Sequence, residues 1–244
     1  MSAARTLRFA TYNVHSCVGV DGRYDPARVA GVIEEIDADL VALQEFTYPI
    51  DIALETRTPV VLTSLTNYSC ALGPTRSHAE QRFGNVILTR HPILEVHRLD
   101  LSMERREPRG ALAATVEIHG VQWHVLATHL GLKLQERQFQ VKQILKYLRE
   151  VRDTPLVVLG DFNDWLPGRS VVHALDDHLG RPPRVRSFPV SRPLLTLDRI
   201  WVHPKTALRA VKVHRSPAAR LASDHYPVVA EVLKRPSAAG LPAA

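Results

Sequence analysis

Apolar, strand-like segments of this chain repeatedly end in a polar residue of a type that binds ligands or transfers protons. Leu7 to Val14 reads as a strand with Asn13 near its end, and Pro155 to Leu159 runs into Asp161 and Asn163. The full set, at the ends of predicted strands, inside one or just before one, is Asn13, Glu45, His129, Asp161, Asn163, Asp198, Asp224 and His225. Because strand ends in a layered fold point to one rim, we expect these residues to share a site.

Alternating and continuous apolar runs predict a series of strands. They cover residues 7–14, 40–43, 85–88, 93–101, 111–118, 122–130, 155–159, 197–202, 208–213 and 227–233. The three runs between 93 and 130 are expected to pair antiparallel, with His119-Gly120 as a hairpin turn. Helices are predicted from Asp25-Pro26 onward, over 134–151 and over 168–179, and a loop with room for a short helix over 46–66.

No internal repeat or linker divides the chain of 244 residues. We therefore expect one catalytic domain over residues 1–235, with packed sheets inside and helices outside, and a flexible tail over 236–244. The two cysteines, Cys17 and Cys70, form neither a disulfide framework nor a zinc motif, which favours a reducing compartment. The N-terminus lacks a leader-like run and no segment approaches the roughly 18 apolar residues of a membrane helix, so a cytoplasmic location is expected.

Positive charge is concentrated in residues 181–220, which we call the basic block. It carries ten basic residues against Asp198 alone, a net charge of +9 in a chain of net charge +6. Such a block favours an anionic partner: nucleic acid, a phospholipid surface or a phosphate ester. A solvated surface with arginines for solubility explains the charge equally well, and no obligate protein partner is indicated.

The residue types at the predicted rim suit phosphate-ester hydrolysis with a hard cation. Magnesium takes oxygen ligands, and Glu45, Asp224, Asn13 and Asp161 are candidates to supply them. His225 is a candidate base for water if Asp198 orients it. Asn163 and His129 are candidate donors to phosphoryl oxygens. Each residue alone has an ordinary structural explanation, such as a turn, a helix cap or a surface ion pair; their joint occurrence favours the site.

Seven stretches resemble the endonuclease/exonuclease/phosphatase superfamily, and they occur in its order between residues 11 and 228. They are TYNVH (11–15), LQEF (43–46), GNVILTRHPI (84–93), THLGL (128–132), GDFND (160–164), LDRIWV (197–202) and SDHYPV (223–228). GDFN together with SDH is specific, and the set is stronger than any member. The resemblance implies a four-layer α/β sandwich, with two mixed sheets face to face, helices outside and an active site at one edge.

The resemblance also implies roles for the rim residues. Asn13, Glu45 and Asp224 would surround Mg²⁺, with Mn²⁺ as a substitute, and Asp161 and Asn163 would lie across the phosphate. His225, held by Asp198, would activate water or stabilise the phosphoryl group. His129 matches a histidine that assists the leaving group in the deoxyribonuclease branch, where a glutamate partners it. No such glutamate can be identified here, and Asn85 occupies the neighbouring region, so the general-acid role stays open.

Further candidates for substrate binding are Arg109, Asn85, His15 and Arg199. Arg109 lies in Glu107-Pro108-Arg109-Gly110, which with Ser187-Phe188-Pro189 resembles an uncharacterised bacterial subgroup of the superfamily. An arginine suits phosphate geometry. The alternative is that Arg109 only solubilises a loop. Trp165 follows GDFND closely enough to line the cleft.

The implied fold does not determine which phosphoester is the substrate. The favoured hypothesis is a nuclease that cleaves DNA or RNA, since the basic block suits a nucleic-acid backbone. The LDRIW stretch differs from the version common in abasic-site enzymes, which lowers that specialisation. The alternative is a phosphodiesterase or phosphatase on phospholipid headgroups or small phosphoesters, with the same arginines on a membrane surface. A non-catalytic phosphate-binding module ranks last, because nearly every expected acidic and histidine position is filled.

Overall fold

The computed structural model describes residues 6–49, 66–78, 81–151, 154–165 and 170–234. The strands are β1 Thr6–Asn13, β2 Leu40–Pro49, β3 Ser69–His78, β4 Gln81–Thr89, β5 Ile93–Asp100, β6 Gly110–Ile118, β7 Val121–His129, β8 Leu156–Asp161, β9 Asp198–His203, β10 Leu208–Val213 and β11 Val228–Leu233. The helices are α1 Pro26–Ile36, α2 Leu134–Leu148, α3 His173–Leu179 and α4 Pro217–Ala222. None of the helices among the described residues is long and apolar enough to cross a membrane.

These strands form two mixed sheets. The first has the order β10-β11-β1-β2-β4-β3, and the second has the order β5-β6-β7-β8-β9. β1 and β2 are parallel in the first sheet, β7 and β8 are parallel in the second, and the other neighbours are antiparallel. The predicted antiparallel run from β5 to β7 is confirmed.

Three apolar cores separate four layers. The inner faces of the two sheets pack on each other, where the rings of Phe9 and Trp123 lie 5.1 Å apart. A second core joins the outer face of the first sheet to α1 and α4, and a third joins β7 and β8 to α2 and α3. The sheets thus bury both faces, as near-continuous apolar strands require. The expected four-layer α/β sandwich is confirmed.

Local sequence explains where α1 begins. The Asp25 carboxylate accepts a hydrogen bond from the backbone N–H of Arg28, and Pro26 occupies the first helical position, where its missing N–H costs nothing. The side chains that bury this helix against the first sheet are Val29, Ala30, Val32, Ile33 and Ile36.

Three local predictions were wrong. The loop predicted from residue 46 begins later, because β2 continues to Pro49 after an irregularity between Leu43 and Phe46. β3 was not predicted, since its sequence SCALGPTRSH carries glycine and proline and no alternation, yet it pairs with β4 along the edge. The helix predicted over 168–179 is present only from His173, since residues 170–172 are not helical. The predicted short helix within 50–65 and the tail lie outside the described residues.

Candidate active site

Strand pairing places the first sheet's polar residues at one end of the sandwich. Asn13, the last residue of β1, pairs with Gln44 of parallel β2, so Glu45 follows directly beside it. The turn that enters β11 is attached to the same point, because the Ser223 hydroxyl donates a hydrogen bond to the Asn13 carbonyl at 2.7 Å. Residues 224–225 therefore lie at the end of β1.

The second sheet contributes its residues in the same way. His129 ends β7 and pairs with Asp161 of β8, and Asp161 pairs with Asp198 at the start of β9. Asn163 then turns back, with φ at 48°, and its backbone N–H donates to the Asp161 carboxylate at 2.9 Å. Asparagine tolerates this left-handed conformation better than most residues. The two sheets thus meet at one polar rim.

A histidine–aspartate pair links the two sheets across this rim. His225 Nδ1 lies 2.9 Å from Asp198 Oδ2, and both residues are buried. The same carboxylate oxygen accepts a hydrogen bond from the fully buried Ser187 hydroxyl. The Phe188 ring packs on the imidazole, with centroids 4.6 Å apart. These contacts fix the ring and turn Nε2 toward Asp161, 3.7 Å away.

Opposing effects act on the charge of His225. Burial lowers its pKa, because the charged imidazole loses hydration. The carboxylates outweigh burial, Asp198 most strongly and then Asp161 and Asp224, and raise the pKa of His225 to about 10. In the protein without a bound cation, His225 is therefore protonated at neutral pH.

Asn13 connects the carboxylates of the two sheets. Its side-chain amide nitrogen donates to Glu45 Oε1 at 3.0 Å and to Asp161 Oδ2 at 3.1 Å. Its amide oxygen accepts from the backbone N–H of His15 at 3.0 Å. In this arrangement Asn13 holds the two acidic side chains together; its predicted role as a direct metal ligand stays a prediction.

The backbone next to these acidic side chains is strained. Glu45 has φ at 56°, and His15, Ser16 and Cys17 are three successive residues with φ between 45° and 58°. Side chains other than glycine rarely adopt this region, and strained backbone concentrates at functional sites. The strained turn carries His15 onto the wall of the cleft described below.

His129 has an arginine as its partner. Arg109 Nη1 lies 3.2 Å from His129 Nδ1, and Arg109 Nη2 donates to Glu107 Oε2 at 2.8 Å. On the other side of the ring, Asn163 Nδ2 lies 3.0 Å from His129 Nε2. A glutamate partner of His129, as in the deoxyribonuclease branch, was not identified in the sequence, and among the described residues Arg109 contacts Nδ1.

Asn85 supports this arrangement from below. Its buried side-chain nitrogen donates to the carbonyl of Gly110 at 2.9 Å, next to Arg109 in the chain. It borders a small void beneath the rim and does not line the main cleft. The structure therefore places Asn85 as a support for the Arg109 segment, and its predicted contact with substrate stays a prediction.

His129 is neutral at neutral pH. Burial lowers its pKa to about 3; Asp161 opposes this shift, while Arg109 and His225 add to it. The two histidines of the rim thus have opposite tendencies, because burial dominates the pKa of His129, whereas the carboxylates outweigh burial at His225.

These side chains surround one cleft of about 650 Å³. Its polar lining includes Glu45, His129, Asp161, Asn163, Asp224 and His225. One wall carries Arg76 and Arg109 with Glu107 between them, and other walls carry Trp165, Phe188, Leu132, Leu195 and Leu197. Trp165 is 38% exposed at the rim, as its place after GDFND suggested. The cleft thus combines charged, aromatic and apolar surfaces.

Arg199 and the rest of the basic block do not line the cleft. Arg199 is buried, and its guanidinium donates to the carbonyl of Asp164 at 2.8 Å rather than facing the cleft. None of the ten basic residues of the block, all within the described range 170–234, lines the cleft. Arg181 and Arg184 approach Asp176, and Lys212 pairs with Glu231. The cations of the cleft, Arg76 and Arg109, come from outside the block.

Sequence reasoning missed two supporting residues. Ser187 was noted only as part of a subgroup motif, although its hydroxyl holds Asp198. Arg137, in the first turn of α2, is 1% exposed; it donates to the carbonyl of Leu132 at 2.7 Å and lies over the Trp165 ring at 5.3 Å. The Ser187–Asp198 and Arg137–Trp165 contacts have no local sequence signal, because each joins segments that the fold brings together.

The residues present fit a hard divalent cation. The carboxylates of Glu45, Asp161 and Asp224 line one cleft, and such a cluster of negative charge is costly unless a cation lies among it. Oxygen atoms are the ligands that Mg²⁺ and Mn²⁺ prefer. Asp161, Asp198 and His225 offer ligand atoms within 4.8 Å of one another, but Asp198 is already engaged by His225 and Ser187. The donor set agrees with a cation on the Glu45 side.

A cluster of carboxylates beside a histidine–aspartate pair and two N–H donors defines a metal-dependent phosphoesterase. Comparison with known proteins agrees: the model of the Endonuclease/Exonuclease/phosphatase family matches residues 10–225. The chain belongs to this family. The uncharacterized protein YbhP of Escherichia coli (strain K12) is 30% identical over 246 residues, covering 93% of this chain and 96% of YbhP.

Solved structures give the same fold. An endonuclease/exonuclease/phosphatase from Beutenbergia cavernae is 26% identical, with a TM-score of 0.76 over 94% of this chain and 72% of that chain. D. rerio TDP2 complexed with single strand DNA product is 19% identical, with a TM-score of 0.65, and the match covers 93% of this chain and 98% of that chain. The mannosyl-6-phosphatase Bt3783 of Bacteroides thetaiotaomicron is 18% identical, with a TM-score of 0.68, and the match covers 93% of this chain and 99% of that chain. The last two show the fold alone.

Proposed function

We propose that this protein is a magnesium-dependent phosphodiester hydrolase that cleaves nucleic acid. The observation that carries the proposal is the His225–Asp198 pair, which faces Asp161 across a cleft that also holds Glu45 and Asp224. Glu45, Asp161 and Asp224 would hold the cation, with Asn13 keeping the first two in place. Bound there, the cation would neutralise the carboxylates and draw charge from the phosphoryl oxygens.

His225 is placed to activate water. Asp161 and Asp224 are two of the charges that raise its pKa, so their neutralisation shifts His225 toward the neutral form that accepts a proton. The Nδ1 contact with Asp198 leaves Nε2 directed into the cleft as the accepting atom. Asp198 then stabilises the imidazolium that forms, as in the histidine–aspartate pairs of hydrolases.

Two further side chains of the cleft can donate hydrogen bonds. Asn163 and His129 are 3.0 Å apart and both line it, so together they can hold a phosphoryl oxygen as its negative charge grows. Donors already fixed by the fold need little reorganisation during the reaction. The leaving group and the water would lie on either side of the phosphorus.

Nucleic acid fits the walls of this cleft. Arg76 and Arg109 offer positive charge for backbone phosphates, and the rings of Trp165 and Phe188 offer faces on which bases can stack. The structural neighbour TDP2, complexed with single strand DNA product, supports a nucleic-acid substrate by analogy of fold.

A second candidate is a phosphodiesterase or phosphatase that acts on small phosphoesters or phospholipid headgroups. Two observations favour it: the basic block does not line the cleft, and a volume of about 650 Å³ suits a compact substrate. A structural neighbour that is a mannosyl-6-phosphatase gives it the same kind of support. The cytoplasmic location expected from the sequence stays a prediction.

Nicking of supercoiled plasmid DNA separates the candidates. The wild-type protein, His225→Ala and the control His214→Ala would be assayed with Mg²⁺ and with chelator; His214 pairs with Glu35 on the surface, away from the cleft. We expect metal-dependent nicking by the wild type and the control, and none by His225→Ala. If folded wild-type protein leaves DNA and RNA intact but hydrolyses a small phosphoester, the second candidate replaces the first. Activity retained in His225→Ala would remove His225 from the mechanism.

A further inference from the structure

The imidazole of His129 lies between two hydrogen-bond donors. Arg109 Nη1 is 3.2 Å from Nδ1, and Asn163 Nδ2 is 3.0 Å from Nε2. A neutral imidazole has one N–H and one lone pair, so it can accept from only one of these partners. The position of the ring proton therefore follows from which donor dominates.

Arg109 is the stronger partner. A guanidinium has no acceptor atom and keeps its charge, and hydrogen bonds from charged donors are about twice as strong as neutral ones. Its place is fixed as well, because Glu107 Oε2 accepts from Nη2 at 2.8 Å and Glu107 Oε1 pairs with Arg76 at 3.0 Å. A proton on Nδ1 would face this cation directly. The ring proton therefore belongs on Nε2.

Nε2 then faces the cleft as a donor. The Asn163 amide cannot easily turn its oxygen toward it, because Nδ2 also donates to the carbonyl of Leu130 at 3.0 Å. The carboxylate oxygens nearest to Nε2 belong to Asp161 and Glu45, at 3.7 and 3.9 Å, beyond hydrogen-bond distance. With the proton on Nε2, this N–H and the second N–H of the Asn163 amide face each other at 3.0 Å with no acceptor between them, so an acceptor in the cleft would satisfy both.

We propose that Arg109 is a positioning residue that fixes His129 in the tautomer with the proton on Nε2, so that His129 acts as a neutral hydrogen-bond donor and not as a general acid. A histidine that serves as an acid needs an acceptor at Nδ1 to stabilise its charged form; here a cation occupies that place. The identification of a phosphoryl oxygen as the acceptor of this N–H rests on the proposed function. The tautomer itself does not.

The tautomer can be read without substrate. Long-range ¹H–¹⁵N correlation spectra of the metal-free protein distinguish a protonated Nε2 from a protonated Nδ1, and the spectrum of His129→Gln assigns the signals. We expect the Nε2–H form in the wild type and in Arg109→Lys, which keeps a charged donor. In Arg109→Met we expect the Nδ1–H form to gain population, because the side chain keeps its length but donates nothing.

Kinetics with the active substrate test whether Arg109 acts through His129. Removing a fixed oxyanion donor lowers kcat by about a hundredfold or more, so we expect His129→Gln to show such a loss. Arg109→Met should lower kcat by about tenfold, apart from any rise in KM caused by the loss of a cleft cation, and Arg109→Lys should recover much of kcat. In the His129→Gln background Arg109→Met should have little further effect. Arg90→Gln, which breaks an exposed ion pair with Asp37, is the control.

Three results would overturn the proposal: a protonated Nδ1 in the wild type, an unchanged tautomer in Arg109→Met, or kcat losses that add in the double variant. The wild-type spectrum decides the first even if Arg109→Met does not fold. Absence of phosphoesterase activity, combined with an Arg109-dependent Nε2–H tautomer, would refute the proposed function and leave the tautomer assignment intact.

Discussion

Replacing Asp198 by asparagine tests the histidine–aspartate pair most directly. Asp198 is 1% exposed, and its Oδ2 accepts from both His225 Nδ1 and the Ser187 hydroxyl. An asparagine oxygen in the same place can accept both bonds, so the geometry is kept while the negative charge is removed. Any loss of rate then measures what the charge does for His225.

The size of that loss follows from the contact. Two unit charges about 4 Å apart interact by about 4 kcal/mol at the effective dielectric constant of a partly buried site. The neutral hydrogen bond that asparagine keeps returns about 1 kcal/mol. The remaining 3 kcal/mol or so corresponds to a decrease of about a hundredfold in kcat. We expect the melting temperature to fall as well, because the buried His225 charge loses its strongest partner, so rates are compared at a temperature at which the variant is folded.

The assay is hydrolysis of bis(p-nitrophenyl) phosphate with Mg²⁺, followed by the release of nitrophenolate. The matched control is Asp39→Asn, because Asp39 also carries a histidine partner, with His91 Nε2 at 3.0 Å, and lies just before β2, outside the cleft. We expect the control to keep the wild-type rate. A kcat of Asp198→Asn within about threefold of wild type would refute the idea that the carboxylate stabilises the imidazolium.

Three further predictions concern stability and pH. In chelator, the pKa of His225 in the folded protein, about 10, exceeds its ordinary value of 6.5. The protonated His225 therefore stabilises the fold fully below pH 6.5, and this stabilisation is lost as pH rises toward 10. The urea midpoint should fall between pH 6.5 and 10, and it should fall less in Asp198→Asn. Ser187→Ala removes one of the two donors to Asp198 and should lower the free energy of unfolding by about 2 kcal/mol, and an unchanged urea midpoint would show that the bond contributes nothing. Arg137→Met leaves Asp164 without one of its buried cations and should cost about 3 kcal/mol, or a decrease of roughly 10 °C in melting temperature by calorimetry; a decrease below about 2 °C would mean that Arg199 compensates.

Much of the site could be predicted because its residues share one structural rule. Strand ends converge at this rim, and Asp161 ends β8; Glu45 reaches the same rim from inside β2, at its irregularity beside the end of β1. Their residue types also matched a known set of motifs. The same rule located Asn163 and His225, since each stands within a few residues of a strand end.

Contacts between distant segments could not be predicted from sequence alone. The partner of His129 is Arg109, twenty residues earlier, and only the β6–β7 register, with Ala111 opposite Thr128, brings the two together. The position of the basic block relative to the cleft could not be predicted for a related reason. Its charges are close together in the sequence, but Arg199 contacts Asp164 and Lys212 contacts Glu231. Net charge along a chain does not report the direction of side chains.

The division of the site between two sheets makes its chemistry sensitive to the core. Asn13 and His225 come from the first sheet, Asp161 and Asp198 from the second, and the hydrogen bonds between them span the gap that Phe9 and Trp123 fill. A smaller side chain at Trp123 would let the sheets settle closer or shift sideways, far from any reacting atom. The interior packing therefore sets the distance between the reactive groups of the two sheets. A small change in that distance would lower activity before the protein lost its fold.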